Sequence, residues 1–149
     1  MTDTPETKSV IDQLGWAARL LSRELETMLA PVGLNPAYVP VLLTLAAGGA
    51  RTPKGLAMEA AVEQPTMTAT LHRMERDGLV TRKPNPDDGR STLIALTPDG
   101  YGRIADTDRA LDALNEMLLE QFTTAERGQF LELLGRVVSV LEVQTGRTE

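Results

Sequence analysis

Eight basic residues between positions 51 and 103 form the part of this sequence best suited to chemistry with a polyanion: Arg51, Lys54, Arg73, Arg76, Arg82, Lys83, Arg90 and Arg103. Seven acids share that span, which therefore carries +1, while the rest of the 149-residue chain holds seven basic and fourteen acidic residues and carries −7. The total of −6 argues mildly against nucleic acid. The uneven distribution argues the other way, because it keeps a protein soluble while one face stays open to phosphate.

Other chemistries find little support. Cysteine is absent, which excludes disulfides, thiolate zinc sites, thiol nucleophiles and thiol redox sensing. The single histidine, His72, cannot build a multi-histidine metal site within one subunit, and no Ser–acid pair stands at a spacing that would make it a catalytic base. Asp87 and Asp88 lack the further oxygen ligands a cation needs. The expectation is a non-enzyme with no metal and no cofactor. His72 reads either as a nucleic-acid contact or as an ordinary surface residue.

The elements that position these residues are marked by their boundaries. Asn35-Pro36, Thr52-Pro53, Thr97-Pro98 and, less strongly, Gln64-Pro65 place a cap before a proline whose missing N–H costs nothing at a helix start; Thr123-Thr124-Ala125-Glu126 reads as a capping box. The predicted helices run from about Lys8 to Ala30, Pro36 to Ala47 (with Pro40 awkward in its early turns), Pro53 to Ala61, Pro65 to Asp77, Thr97 to Gln121 and Thr124 to Val143. Leu79–Lys83 and Thr92–Leu96 read as strands joined by the turn-rich segment Pro84-Asn85-Pro86-Asp87-Asp88-Gly89-Arg90. Five aromatics, Trp16, Tyr38, Tyr101, Phe122 and Phe130, leave an aliphatic core, with Met58, Met67, Met74 and Met117 expected to fill it.

This order predicts a mainly α fold with a small β-hairpin wing: a winged helix-turn-helix lobe plus a helical dimerisation region. One domain covers 1–149, with the helical region at about 8–34 and 104–145 and the lobe at about 36–103. The first and last helices carry apolar stripes too wide for a small lobe to cover, which predicts a homodimer. On the Pro65–Asp77 helix, spacing turns Gln64, Thr66, Thr68, Ala69, His72, Arg73 and Arg76 outward and Met67, Leu71 and Met74 inward. The outward residues would meet bases or phosphates of duplex DNA. Arg90 at the hairpin tip suits a narrow minor groove, and Lys54, Arg82 and Lys83 suit phosphates. No apolar run approaches the roughly 18 residues of a membrane span, and Met1–Glu6 lacks the pattern of a signal peptide, so no membrane association and a cytoplasmic location are expected.

Gly78-Leu79-Val80, the Pro84–Arg90 segment and Leu96-Thr97-Pro98-Asp99-Gly100 together resemble the MarR family of bacterial transcription regulators. The resemblance covers nearly the whole chain. It implies a homodimeric, sequence-specific regulator, in many relatives a repressor, bound to a pseudo-palindromic operator. It also implies that Asp88 braces the wing by pairing with Arg73, that Arg90 enters the minor groove, and that no cofactor is used. Many relatives release DNA on binding a small phenolic or aromatic anion; by position Trp16, Arg19 and Tyr38 would line such a site. Ala69 departs from the arginine many relatives carry there. A dimeric protein-interaction module of the same fold, with weak or lost DNA binding, is the alternative.

Overall fold

The computed structural model describes residues 9–147; Lys8, where the first helix is expected to begin, and Met1–Glu6 lie outside the described residues. Helix α1 spans Val10–Leu29, with the Ser9 hydroxyl accepting the Ile11 N–H as its cap. A 3₁₀ turn at Ala30–Val32 and left-handed Gly33 end it, and the axis then turns by 98°. Pro36–Tyr38 is not the first turn of an α-helix but a separate 3₁₀ turn, capped by Asn35 through Ala37 N–H at 2.9 Å. Helix α2, Val39–Gly48, starts three residues later than expected. The late start resolves the problem of Pro40, which now sits in the first turn, where its missing N–H has no partner to lose.

Helices α3 (Pro53–Ala60) and α4 (Gln64–Arg76) follow, then strands β1 (Val80–Pro84) and β2 (Thr92–Leu96). The strands pair antiparallel from Val80–Leu96 to Pro84–Thr92. Arg51 adds a short third edge, exchanging both backbone hydrogen bonds with Ile94 at 2.7 and 3.0 Å. The sequence carries no strand signal at a single residue, so this pairing was not expected. Together α3, α4 and the hairpin form the winged helix-turn-helix.

The long helix expected from Thr97 to Gln121 is two helices, α5 (Pro98–Gly102) and α6 (Ile104–Leu119). Arg103 stands between them, and its guanidinium reaches both the Val32 carbonyl and Asp106 instead of lying along a continuous helix. Two glycines in α5 weaken helical propagation just before that point. Helix α7 spans Thr124–Gln144, its Thr123 cap accepting Glu126 N–H at 3.2 Å.

The core is aliphatic, centres on the lobe and reaches the long helices through Leu29 of α1 and Ala110 of α6. Leu29, Val41, Leu42, Leu45, Leu56, Leu71, Met74 and Ile94 are nearly or fully removed from solvent. Met67 and Met74 are buried, but Met58 and Met117 are exposed and fill no core. Helix α7 buries none of its residues and α1 buries only Leu29. Among the described residues no single helix is long and apolar enough to cross a membrane.

The base of the hairpin is held at one crossing. Thr97 N–H donates to the Leu79 carbonyl at 3.0 Å, its hydroxyl donates to the Gly78 carbonyl, and Gly100 N–H donates to that same hydroxyl at 3.0 Å. Gly78 has φ +76°, which a side chain resists. A β-carbon on Gly100 would overlap the Leu79 carbonyl oxygen, whereas one on Gly102 would meet nothing. Gly100→Ala is therefore expected to lower folding stability by about 1–3 kcal/mol, the usual cost of overpacking. Gly102→Ala, measured in the same thermal melts, is expected to match or slightly exceed the parent; equal melting of all three proteins would refute the crossing.

Candidate nucleic-acid interface

Helix α4 buries Met67, Thr70, Leu71 and Met74 against the lobe. That choice of face leaves Gln64, Thr66, Thr68, Ala69, His72, Arg73 and Arg76 exposed, as their spacing predicts. Its N-terminus has Glu63 as cap residue but no side-chain cap, so the backbone N–H groups of Gln64 and Thr66 have no partner within the helix. Such groups, aided by the helix dipole, suit a phosphate oxygen. The small hydroxyls of Thr66 and Thr68 stand beside them on the same open surface.

The hairpin loop is tied by its own polar groups. Asn85 Nδ2 donates to Ser91 Oγ at 2.8 Å across the loop, and Asn85 Oδ1 accepts Asp87 N–H at 3.1 Å. Asp88 Oδ1 accepts Arg90 N–H at 3.0 Å, while the Asp88 carbonyl accepts Ser91 N–H at 3.1 Å. The Arg90 backbone is thus fixed at the tip and its side chain left in solvent.

The expected brace between Asp88 and Arg73 is not present. Asp88 is used within the loop, and the Arg73 guanidinium turns to Thr70 Oγ1 at 3.4 Å. The contact between wing and helix is made nearer the hairpin's base, where Arg82 Nε lies 3.1 Å from Glu75 Oε2. The reason is reach: Arg82 is early on β1, beside the last turns of α4, whereas Asp88 is out on the loop. Glu75 went unremarked in the sequence, because one glutamate among several exposed charges carries no signal of its strand partner. Arg82 is accordingly paired within the protein, which tempers its expected role at phosphates. Among the described residues of the lobe, Lys54, Arg73, Lys83 and Arg90 form no ion pair. All four are exposed.

Of the three residues expected to line an effector site, Trp16 and Arg19 stand together on α1, and Tyr38 lines a cleft in the lobe. Trp16 is 54% exposed on α1, with the Arg19 guanidinium 5.4 Å from its ring centre. Tyr38 shares its cleft of about 520 Å³ with Leu34, Asp77, Leu79, Asp99 and Arg103. Its hydroxyl is already committed, donating to Asp77 Oδ2 at 2.7 Å. Burial above all, and then this hydrogen bond, push the phenol's pKa up. A second cleft of about 390 Å³ runs along Ser22, Glu26, Leu34 and Pro36. The charged groups at these clefts are mainly carboxylates, and Arg103 is occupied by Asp106 and Val32, which does not favour an anionic occupant.

The hydrogen bond from Arg90 N–H to Asp88 makes a test that needs no ligand. Asp88→Ala is expected to speed exchange of the Arg90 amide hydrogen by about 2- to 10-fold, matching the net worth of one hydrogen bond. Asp88→Asn retains the acceptor and is expected to exchange like the parent; identical rates in all three would remove Asp88 from the loop's support.

The MarR family model matches residues 32–91, from the end of the turn after α1 to the hairpin loop. An uncharacterized HTH-type transcriptional regulator of Mycobacterium bovis is 34% identical over 118 residues, covering 78% of this chain and 79% of that protein. The structure of the transcriptional repressor CouR bound to a 23-mer DNA duplex matches with a TM-score of 0.81 at 25% identity, over 93% of this chain and 98% of that one. A mutant of E. coli MarR complexed with operator DNA matches with a TM-score of 0.74 at 26% identity, over 85% and 91% of the two chains. The exposed α4 face, the arginine-tipped hairpin and these likenesses lead to one conclusion: the chain belongs to the MarR family of winged helix-turn-helix, DNA-binding transcription regulators, which are not enzymes.

Proposed function

We propose that this chain acts as a homodimeric repressor that lays one α4 in each of two successive major grooves of a pseudo-palindromic operator. Each Arg90 then enters the neighbouring minor groove, where the negative potential of a narrow A·T-rich stretch is greatest. Residues of about 8–34 and 104–145 form the joint between copies, and about 36–103 the reading lobe. The observation that carries this reading is the set of exposed cations in the lobe that form no ion pair among the described residues. Lys54, Arg73, Lys83 and Arg90 belong to α3, α4 and the hairpin, although the chain as a whole is acidic.

Dimerisation follows from the helices the lobe cannot cover. In α7, Leu131, Leu133, Val140, Leu141 and Val143 are all more than half exposed, and Val10, Ile11 and Trp16 of α1 are likewise uncovered. Helices in water owe most of their stability to packing of an apolar face, so a 21-residue helix without such packing calls for a partner surface. A second copy supplies the same stripe in reverse, as a two-fold interface requires. Repression follows if the occupied operator overlaps a promoter. CouR and the E. coli MarR mutant were each solved on DNA, which supports the same kind of partner here. The carboxylates at the two clefts do not support the phenolic anion expected as effector, and the proposal stands without one.

The test is a footprint and gel shift on DNA upstream of the chain's own gene at two salt concentrations, alongside sedimentation of the free protein. A specific complex that weakens steeply with salt and a dimer at micromolar concentration are expected. A monomer, or no complex even at low salt, would overturn the reading and leave the lobe as a protein-interaction module. Arg90→Ala is expected to weaken specific binding by about 1–3 kcal/mol with the dimer intact; unchanged affinity would remove Arg90 from the interface.

A further inference from the structure

The reading lobe meets the long helices α1 and α6 at two boundary segments, residues 30–38 leading in and 97–103 leading out, of which 36–38 and 97–103 are the lobe's own edges. Apolar packing among Leu29, Leu42 and Ala110 spans this junction, and two polar links add direction to it, one at each segment. Arg103 of the outgoing segment reaches the Val32 carbonyl of the incoming one. Tyr38 of the incoming segment donates its hydroxyl to Asp77, the residue that ends α4. The cleft of about 520 Å³ is lined by residues of both links, Tyr38, Asp77 and Arg103, so on that side the links face open space.

We infer that the Tyr38–Asp77 hydrogen bond is a positioning contact for operator recognition, holding the tilt of α4 against the helices that join the two copies. The inference rests on the DNA-binding reading above. The geometry gives it leverage. Asp77 is at the C-terminal end of α4, while Gln64, Thr66 and Thr68 are at the other end. The helix has 13 residues, about 20 Å at 1.5 Å each. A tilt of about 10° at Asp77 therefore carries the far end by about 3.4 Å, which is one base-pair step. The two oxygens of Asp77 are divided between the inside and the DNA face: Oδ2 accepts from buried Tyr38, and Oδ1 lies 3.5 Å from Nε of exposed Arg76. The raised phenol pKa keeps the Tyr38 proton in place as a donor throughout the neutral range.

Loss of this bond is separable from loss of the fold. The Asp77 side chain is 42% exposed, so water can replace the Tyr38 hydroxyl as its donor. Phenylalanine retains the ring that fills the core at position 38. The contact therefore contributes direction more than stability.

Two measurements decide the matter. The first uses no DNA. Because the chain lacks cysteine, spin labels go only to introduced sites, here Arg23→Cys on α1 and Thr66→Cys on α4, diluted with unlabelled chain so that distances within one copy are read. In the Tyr38→Phe background the α1–α4 distance is expected to shift or broaden by about 3 Å or more, with the melting temperature within a few degrees of the parent. The second uses the footprinted duplex and a duplex with one base pair inserted at its dyad. The parent is expected to prefer the first by tenfold or more, Tyr38→Phe to fall to within about threefold, and Asp77→Asn, which keeps an acceptor, to behave like the parent. An unaltered label distance, or an undiminished preference for half-site spacing, overturns the proposal. Should Tyr38→Phe fail to fold, Asp77→Ala removes the same contact from the other side. If no duplex is bound at all, the DNA-binding reading fails, and the label distance alone decides whether the bond positions α4.

Discussion

The arrangement of helix and wing depends on one crowded crossing, where α4 ends, the hairpin both begins and closes, and α5 starts. Gly78 turns the chain with a positive φ, and Thr97 hydrogen-bonds to the Gly78 and Leu79 carbonyls. Gly100 lies so close to Leu79 that only a hydrogen fits between them. Backbone against backbone leaves little room for adjustment, because peptide groups do not change rotamer as side chains do. The crossing thereby fixes the direction of the hairpin relative to α4. It also satisfies the polar groups of three chain ends where water is partly excluded.

Electrostatics then separates the side chains that build the lobe from those available to a partner. Arg51, Arg76, Arg82 and Arg103 all have carboxylates within 4 Å, at Glu59, Asp77, Glu75 and Asp106. Such half-exposed pairs add little stability, about 0–1 kcal/mol each, but they set direction. Arg82–Glu75 ties strand to helix, and Arg103 ties one linker to the other. The cations left over, Lys54, Arg73, Lys83 and Arg90, all belong to α3, α4 and the hairpin and are exposed. Most of the acid is elsewhere, on the helices outside the lobe, so the dipolar character of the chain favours one approach to a polyanion.

Much of this was legible in the sequence, and the failures have physical causes. Caps and prolines located most helix starts to within a residue or two, because a side-chain oxygen before an orphan N–H is a strong local device. The inward set Met67, Leu71 and Met74 followed from helical period alone. What escaped was set by contacts across the chain. The break between α5 and α6 depends on where the Arg103 guanidinium finds its acceptors, and the bridge at Arg51 depends on Ile94 more than forty residues away. The wing brace was placed at Asp88 by resemblance, while the structure places an ion pair at Arg82 and Glu75, because which charge meets which depends on distances that spacing does not encode.

The uncovered helices bear on the reading lobe in a way their sequence alone does not convey. An apolar stripe that found its cover within the same chain would bury α1 and α7 and leave the lobe's orientation a property of one subunit. Here the stripe stays open while the lobe is already well packed around Leu42, Leu71 and Ile94. Formation of the lobe and its placement relative to the long helices are consequently distinct physical problems. The first is solved by a dense aliphatic core. The second rests on the part of that core which reaches α1 and α6 through Leu29 and Ala110, and on a few polar contacts between the segments that join lobe and long helices. The lobe's packing is thus settled within one chain, and what lies along the open stripe of α1 and α7 is settled outside it.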